Sequence, residues 1–244
     1  MHRAAHATAF WGKLYANSVP LAKITRDCPL SGEYLAHMSV IDKLEKDPAL
    51  HDYLVSRVGK AHLRRRTGVE AEHVADRFGQ GRTFFNIENW HAVAAILNFT
   101  LKVTGLSERG RANTLDFQVR QNKLTLPGLP QPFDGFTLLQ LSDLHLDSLA
   151  DFPERLAEKI ADLEYDVCVL TGDYLFRTHG PFREAMRGLE CVRRKISKDV
   201  YAILGNHDSI LMTKPIESMD IRLLLNENTR FERDGAALYL AGID

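Results

Sequence analysis

The sequence predicts an α/β domain over residues 113–244, preceded by a mostly helical section over residues 1–112. Three observations carry this reading. Apolar runs of strand length alternate with amphipathic helical stretches in the second half. A Pro/Gly-rich turn, Pro127-Gly128-Leu129-Pro130-Gln131-Pro132, separates that half from what precedes it. The charge balance also changes sign, with 17 Lys and Arg against 12 Asp and Glu in residues 1–120, and 14 against 20 in residues 121–244.

In the first section, Leu35, Met38 and Ile41 recur at helical spacing, and Ile87, Val93, Ile96, Leu97 and Leu101 form a second apolar face. Asn86 or Asn89 is the expected cap of that second helix and Gly105 its expected end. The run Arg64-Arg65-Arg66 admits a nucleic-acid or lipid-headgroup reading, but one short basic run is weak, and a solvated helix face is the favoured account. Seven of the ten histidines are scattered here without a functional reading.

Leu124-Thr125-Leu126 reads as a short strand running into the Pro/Gly turn, and residues 136–141 are the next strand. Phe152, Leu156, Ile160 and Leu163 mark a helix with Asp151 as N-cap and Pro153 in its first turn. Residues 167–170 form a second strand, Phe182, Met186, Leu189 and Val192 a second helix face, and residues 201–204 a third strand. This βαβαβ rhythm implies parallel neighbours with helices packed outside, and ligands in such sheets bind at the carboxyl ends of strands.

Each of the three strands ends in a polar cluster: Ser142-Asp143-Leu144-His145, Thr171-Gly172-Asp173-Tyr174 and Gly205-Asn206-His207-Asp208. Asp143 and His145 alternate with Leu144, so an extended strand would turn both to one side. Carboxylate oxygen with imidazole nitrogen suits Mn²⁺, Fe or Zn²⁺ better than Ca²⁺. Asp173 has two oxygens with which to bridge a pair of ions, Asn206 offers a neutral amide oxygen, and His207 is left for proton or phosphate chemistry. Gly172 and Gly205 permit sharp turns and close backbone approach. Each motif alone has a bland explanation as a capped turn or loop. Three in order on successive strand ends do not.

The order DxH, GD, GNH[DE], with a helix between successive strands, resembles the opening pattern of calcineurin-like metallophosphoesterases. Phe133-Asp134-Gly135-Phe136 ahead of Leu141-Ser142-Asp143-Leu144-His145 is similar to bacterial members, and Leu238-Tyr239-Leu240-Ala241-Gly242-Ile243-Asp244 looks like their next strand. The resemblance implies a β-sandwich flanked by helices and two divalent ions (Mn²⁺, Fe²⁺/Fe³⁺ or Zn²⁺). It implies that Asp143 and His145 hold the first ion, Asp173 bridges, and Asn206 holds the second. His207, oriented by Asp208, would stabilise the transition state or protonate the leaving oxygen. Hydrolysis of a phosphomonoester, phosphodiester or pyrophosphate by a metal-activated hydroxide is the implied activity, with lipid- or nucleotide-linked esters as substrates.

The family pattern continues with a further His and a GHxH segment that have no counterpart here, and His179 sits in an unrelated loop context. The expectation is therefore a fragment in which the C-terminal half of the sandwich and part of the metal site are absent. The alternative to the hydrolase is a catalytically incompetent remnant acting as a weak metal-binding or interaction module. A net charge of −1 argues against a nucleic-acid partner, and no glycine-rich nucleotide motif follows a strand. Cys28, Cys168 and Cys191 lack CxxC spacing, and Cys168 reads as a small core residue. With no secretory signal or span-length apolar segment, the chain is expected in the cytoplasm, with peripheral lipid contact through the basic helices as a further expectation.

Overall fold

The computed structural model describes residues 39–77, 99–178 and 180–244, and side chains within these except 73–77. The expected contributions of Cys28, Leu35, Met38, Asn86, Asn89, Ile87, Val93, Ile96, Leu97 and His179 lie outside the described residues. The chain divides into two compact units, and among described residues 99–124 belong to one, and 39–77 with 125–244 to the other.

In the first unit, residues 99–103 are helical and Gly105, at φ 70°, ends that stretch as expected. Gly105 also serves as the N-cap of a helix the sequence reading lacked, α4 (Leu106–Leu115).

In the second unit, α1 (Val40–Lys46) starts from Ser39, whose side chain accepts from Asp42 N–H in a reciprocal capping box. Pro48 then opens α2 (Pro48–Val58), and Gly59, at φ 79°, separates it from α3 (Lys60–Arg77). Val40, Leu44, Leu54 and Leu63 supply the buried face of these helices, whereas Ile41 is exposed.

The expected strand at Leu124-Thr125-Leu126 does not form. These residues are irregular, and both leucines are exposed. An apolar pair flanking Thr has the local composition of a strand but, among the described residues, no partner to complete a ladder.

Four parallel strands follow: β1 (Leu138–Leu141), β2 (Val167–Leu170), β3 (Val200–Ala202) and β4 (Arg222–Leu223). Their order is β1-β2-β3-β4, with Leu138 opposite Val167 and Val169 opposite Tyr201. The helices α5 (Phe152–Ile160), α6 (Arg183–Arg193) and α7 (Thr213–Glu217) make the crossovers. Because the order never reverses, right-handed crossovers put all three on one face of the sheet. Leu156, Ala157 and Ile160 of α5, and Leu189 and Val192 of α6, are buried accordingly. Asp151 occupies the N-cap of α5 without a side-chain capping bond.

Strand alternation turns Val167 and Val169 to the other face, where they cluster with Tyr201 and Leu224. That face packs against Phe231 of β5 (Glu227–Arg233) and Leu240 of β6 (Ala236–Gly242), an antiparallel hairpin. Helices, parallel sheet and hairpin thus form three layers, a mixed α/β architecture with a sheet-on-sheet core. Cys168 is fully buried, as expected of a core thiol, and burial pushes its pKa up to about 12. Among the described residues, no helix is long and apolar enough to cross a membrane.

Candidate active site

The parallel ladder does not stop where the strands do. Past Leu141 and Leu170, Asp143 N–H donates to Gly172 C=O (3.1 Å), His145 N–H to Asp173 C=O (2.9 Å), and Leu146 N–H to Tyr174 C=O (2.8 Å). The two polar segments therefore run side by side. They are not extended, however: Asp143, His145 and Asp173 all have positive φ, at 54°, 42° and 57°. Each such residue costs on the order of 1–3 kcal/mol. Left-handed turns at both members of the DxH motif, rather than strand alternation, bring Asp143 and His145 to one place. The expected convergence occurs by a different backbone route.

One ligand atom from each of Asp143, His145 and Asp173 lies within 4.8 Å of the other two. The set is two carboxylate oxygens and one imidazole nitrogen, partly screened from water at His145 and Asp173. Among the described residues no Lys or Arg pairs with either carboxylate, whose hydrogen-bond donors are Ser142 Oγ to Asp143 and His207 N–H to Asp173 (3.0 Å). Two anions crowded together without a balancing cation fit a divalent ion.

The Gly205-Asn206-His207-Asp208 segment is a tight turn closed by Asp208 N–H to Gly205 C=O at 3.3 Å. Asn206 and His207 are its two central residues, and Asn206 is exposed. The turn is pressed onto Asp173. A Cβ added to Gly205 would stand 2.1 Å from Asp173 Oδ1, and one on Gly172 2.5 Å from Gly205 N. These glycines are required by close approach, as the sequence suggested.

Segment 173–176 acts as an orienting rail. Its amides are held by two carboxylates. Asp208 Oδ2 accepts from Asp173 N–H (2.7 Å) and Gly205 N–H (2.8 Å), Asp208 Oδ1 accepts from Tyr174 N–H (2.9 Å) and Leu175 N–H (3.1 Å), and Asp147 Oδ1 accepts from Phe176 N–H (2.6 Å). Its carbonyls hold the histidines. His145 Nδ1 donates to Leu175 C=O (3.0 Å) and His207 Nδ1 to Phe176 C=O (2.8 Å). A carbonyl only accepts, so each Nδ1 carries the hydrogen and each Nε2 is left outside these bonds. The two rings lie 5.0 Å apart.

This corrects the expected role of Asp208. Its carboxylate does not orient His207, because both oxygens are committed to backbone amides and His207 takes its orientation from Phe176. Burial pushes the Asp208 carboxyl above its ordinary range, against the pull of the four amides. Sequence reasoning missed Asp147, whose D-x-H-x-D spacing was visible. It also missed the carbonyls of Leu175 and Phe176, which no side-chain pattern announces.

Residues 136–242 match the model of the calcineurin-like phosphoesterase family. Over 160 residues the chain is 28% identical to YkoQ of Bacillus subtilis, an uncharacterized metallophosphoesterase, covering 63% of this chain and 57% of YkoQ. Over 85 residues it is 35% identical to LpxG of Chlamydia trachomatis, a UDP-2,3-diacylglucosamine pyrophosphatase, and 33% identical to LpxG of Chlamydia muridarum. Those matches cover 33% of this chain and 26% of each LpxG. The chain therefore spans about half the length of YkoQ and about a quarter of LpxG.

Proposed function

We propose that this chain carries the metal-binding part of a phosphate-ester hydrolase. The observation that carries the reading is the cluster of Asp143, His145 and Asp173, two carboxylates and an imidazole with ligand atoms within 4.8 Å of one another and, among the described residues, no Lys or Arg paired to either carboxylate. In this reading Asp143 and His145 would hold one divalent ion, Asp173 would serve that ion and a second one, and Asn206 would contribute to the second. Bound divalent ions would supply positive charge for the phosphate oxygens and lower the pKa of water at the site.

The remaining work belongs to the chain. Leu175 C=O keeps His145 Nδ1–H in place, so that Nε2 is the ligand atom. Phe176 C=O does the same for His207. Once protonated, His207 keeps Nδ1–H on that carbonyl and directs Nε2–H outward. There it offsets charge on the phosphoryl group or gives its proton to the departing oxygen as the P–O bond breaks. The turn around Asn206 and His207 is held to Asp173 by His207 N–H, so proton donor and ligands move as one body.

The substrate class is a phosphomonoester, phosphodiester or pyrophosphate. The similarity to LpxG puts lipid-linked pyrophosphates among the substrates to assay. The test is turnover of a chromogenic phosphodiester by the full chain over a Mn²⁺ titration, with Asp173→Ala alongside. Turnover that needs Mn²⁺ and vanishes with Asp173→Ala is expected. No turnover under any metal, or equal activity in Asp173→Ala, overturns the reading.

A further inference from the structure

The three-arginine run of α3 is divided by the helix itself. Arg64 and Arg65 are exposed, while Arg66 lies on the inward side beside Leu63 and Thr67, which are 3% and 6% exposed. Arg66 Nη2 donates to two main-chain oxygens, Gly205 C=O at 3.0 Å and Asp208 C=O at 2.9 Å. These are the first and last carbonyls of the turn that displays Asn206 and His207. One helical turn on, Glu70 takes the residues that follow. Its Oε2 accepts from Ser209 Oγ (2.7 Å), and its Oε1 accepts from Ile210 N–H (2.9 Å), at the start of the 3₁₀ turn Ile210–Met212. Arg66 Nε stands 3.3 Å from Glu70 Oε1, and both side chains are largely shielded from water. Six consecutive residues, 205–210, are thus gripped at both ends by one i,i+4 pair on a helix outside the family-matched segment.

We infer that Arg66 and Glu70 are positioning residues that latch the Gly205–Ile210 loop and so set where Asn206 and His207 stand. A generic surface contact would not explain why the same guanidinium nitrogen spans both ends of the turn. A two-hydrogen nitrogen facing two carbonyls is what planar guanidinium geometry provides, whereas a lysine ammonium on a flexible stem is a poorer match. Main-chain carbonyls bonded by a charged donor are held more firmly than by a neutral one. The consequence for turnover rests on the phosphoesterase reading. The ordering of the loop does not.

Amide hydrogen exchange of the metal-free full chain tests the latch directly, with Mn²⁺ affinity and the split between kcat and KM as further readouts. In Arg66→Ala, exchange in 205–210 should quicken at least about tenfold while amides of β1–β3 keep their protection. Mn²⁺ affinity or kcat should fall about 10–100-fold with KM nearly unchanged. Arg66→Lys and Glu70→Gln, milder changes in case the alanine variant does not fold, should give intermediate values. Arg64→Ala and Arg65→Ala should behave as wild type. Unchanged exchange in 205–210, or exchange that quickens only together with the β1–β3 amides, overturns the latch. If wild type shows no turnover while Arg66→Ala still loosens 205–210, the hydrolase reading falls and the latch stands.

Discussion

Asp208 and Glu227 are carboxylates in the same compact unit, held by opposite means. Asp208 is 2% exposed and its carboxylate accepts four backbone N–H groups, with no Lys or Arg among the described residues paired to that carboxylate. Glu227 keeps a third of its side chain in water and faces Arg57, whose Nε and Nη2 reach its two oxygens at 3.0 and 2.9 Å. Arg57 also pairs with Glu217 and donates to Leu223 C=O, so it fastens α2 to the sheet layer. Burial raises the Asp208 carboxyl, while Arg57 lowers that of Glu227. The difference separates two jobs. A carboxylate bonded to amides fixes the path of the main chain, which a site made of strand-end residues requires. A carboxylate bonded to a guanidinium fixes one element against another and tolerates water.

The largest effect should come from the side chain that the first arrangement serves. His207→Ala removes Nε2 but leaves Asp143, His145 and Asp173 untouched, so turnover should fall roughly 10²–10⁴-fold. Mn²⁺ binding, followed by calorimetry, should persist. Loss of the metal with this substitution would make His207 a ligand and end its assignment as a proton donor.

Next in size is Asp208→Asn. The amide matches the carboxylate in shape, yet one end of it becomes a donor facing donors. Either pair of amides, Asp173 with Gly205 or Tyr174 with Leu175, then loses its acceptor. Unfolding in urea should show a loss of about 3 kcal/mol. A loss well under 1 kcal/mol would mean that water replaces the carboxylate and that Asp208 does not hold the rail.

The strand–helix order was legible because apolar runs of four to six residues alternate with 3.6-residue stripes. The clustered acids were legible because Asp143 and Asp173 stand two and three residues past the ends of those runs. The role of Asp208 as the group that orients His207 came from the resemblance, whereas the turn brings its carboxylate to the amides of Asp173, Tyr174, Leu175 and Gly205. The rail was invisible because its orienting groups are main-chain oxygens of Leu175 and Phe176, which any residue would supply. Arg66 was hidden within a run of three arginines. Only the helical phase set by Leu63 and Thr67 separates it from Arg64 and Arg65, and a buried threonine interrupts the apolar stripe that would have revealed that phase. Leu124-Thr125-Leu126 shows the reverse error, local strand composition without a partner among the described residues.

The smallest effect belongs to the second carboxylate and turns on the sign of a pH dependence. Glu227→Gln should cost below about 1 kcal/mol at neutral pH, since an ion pair this open to water is well screened. Glu227 has a folded pKa lowered from 4.5, chiefly by its hydrogen bonds to Arg57. Its contribution is therefore present above the unfolded value and is lost as pH falls through the folded one. The gap in stability between wild type and Glu227→Gln should be flat near neutrality and close below about pH 4.5. Asp208 has the opposite sign. Its folded pKa is raised, so the folded state holds its proton more tightly, and stability declines as pH rises through that range. A gap between wild type and Glu227→Gln that widens on acidification would give Glu227 the sign of Asp208, and the two carboxylates would no longer stand as opposites.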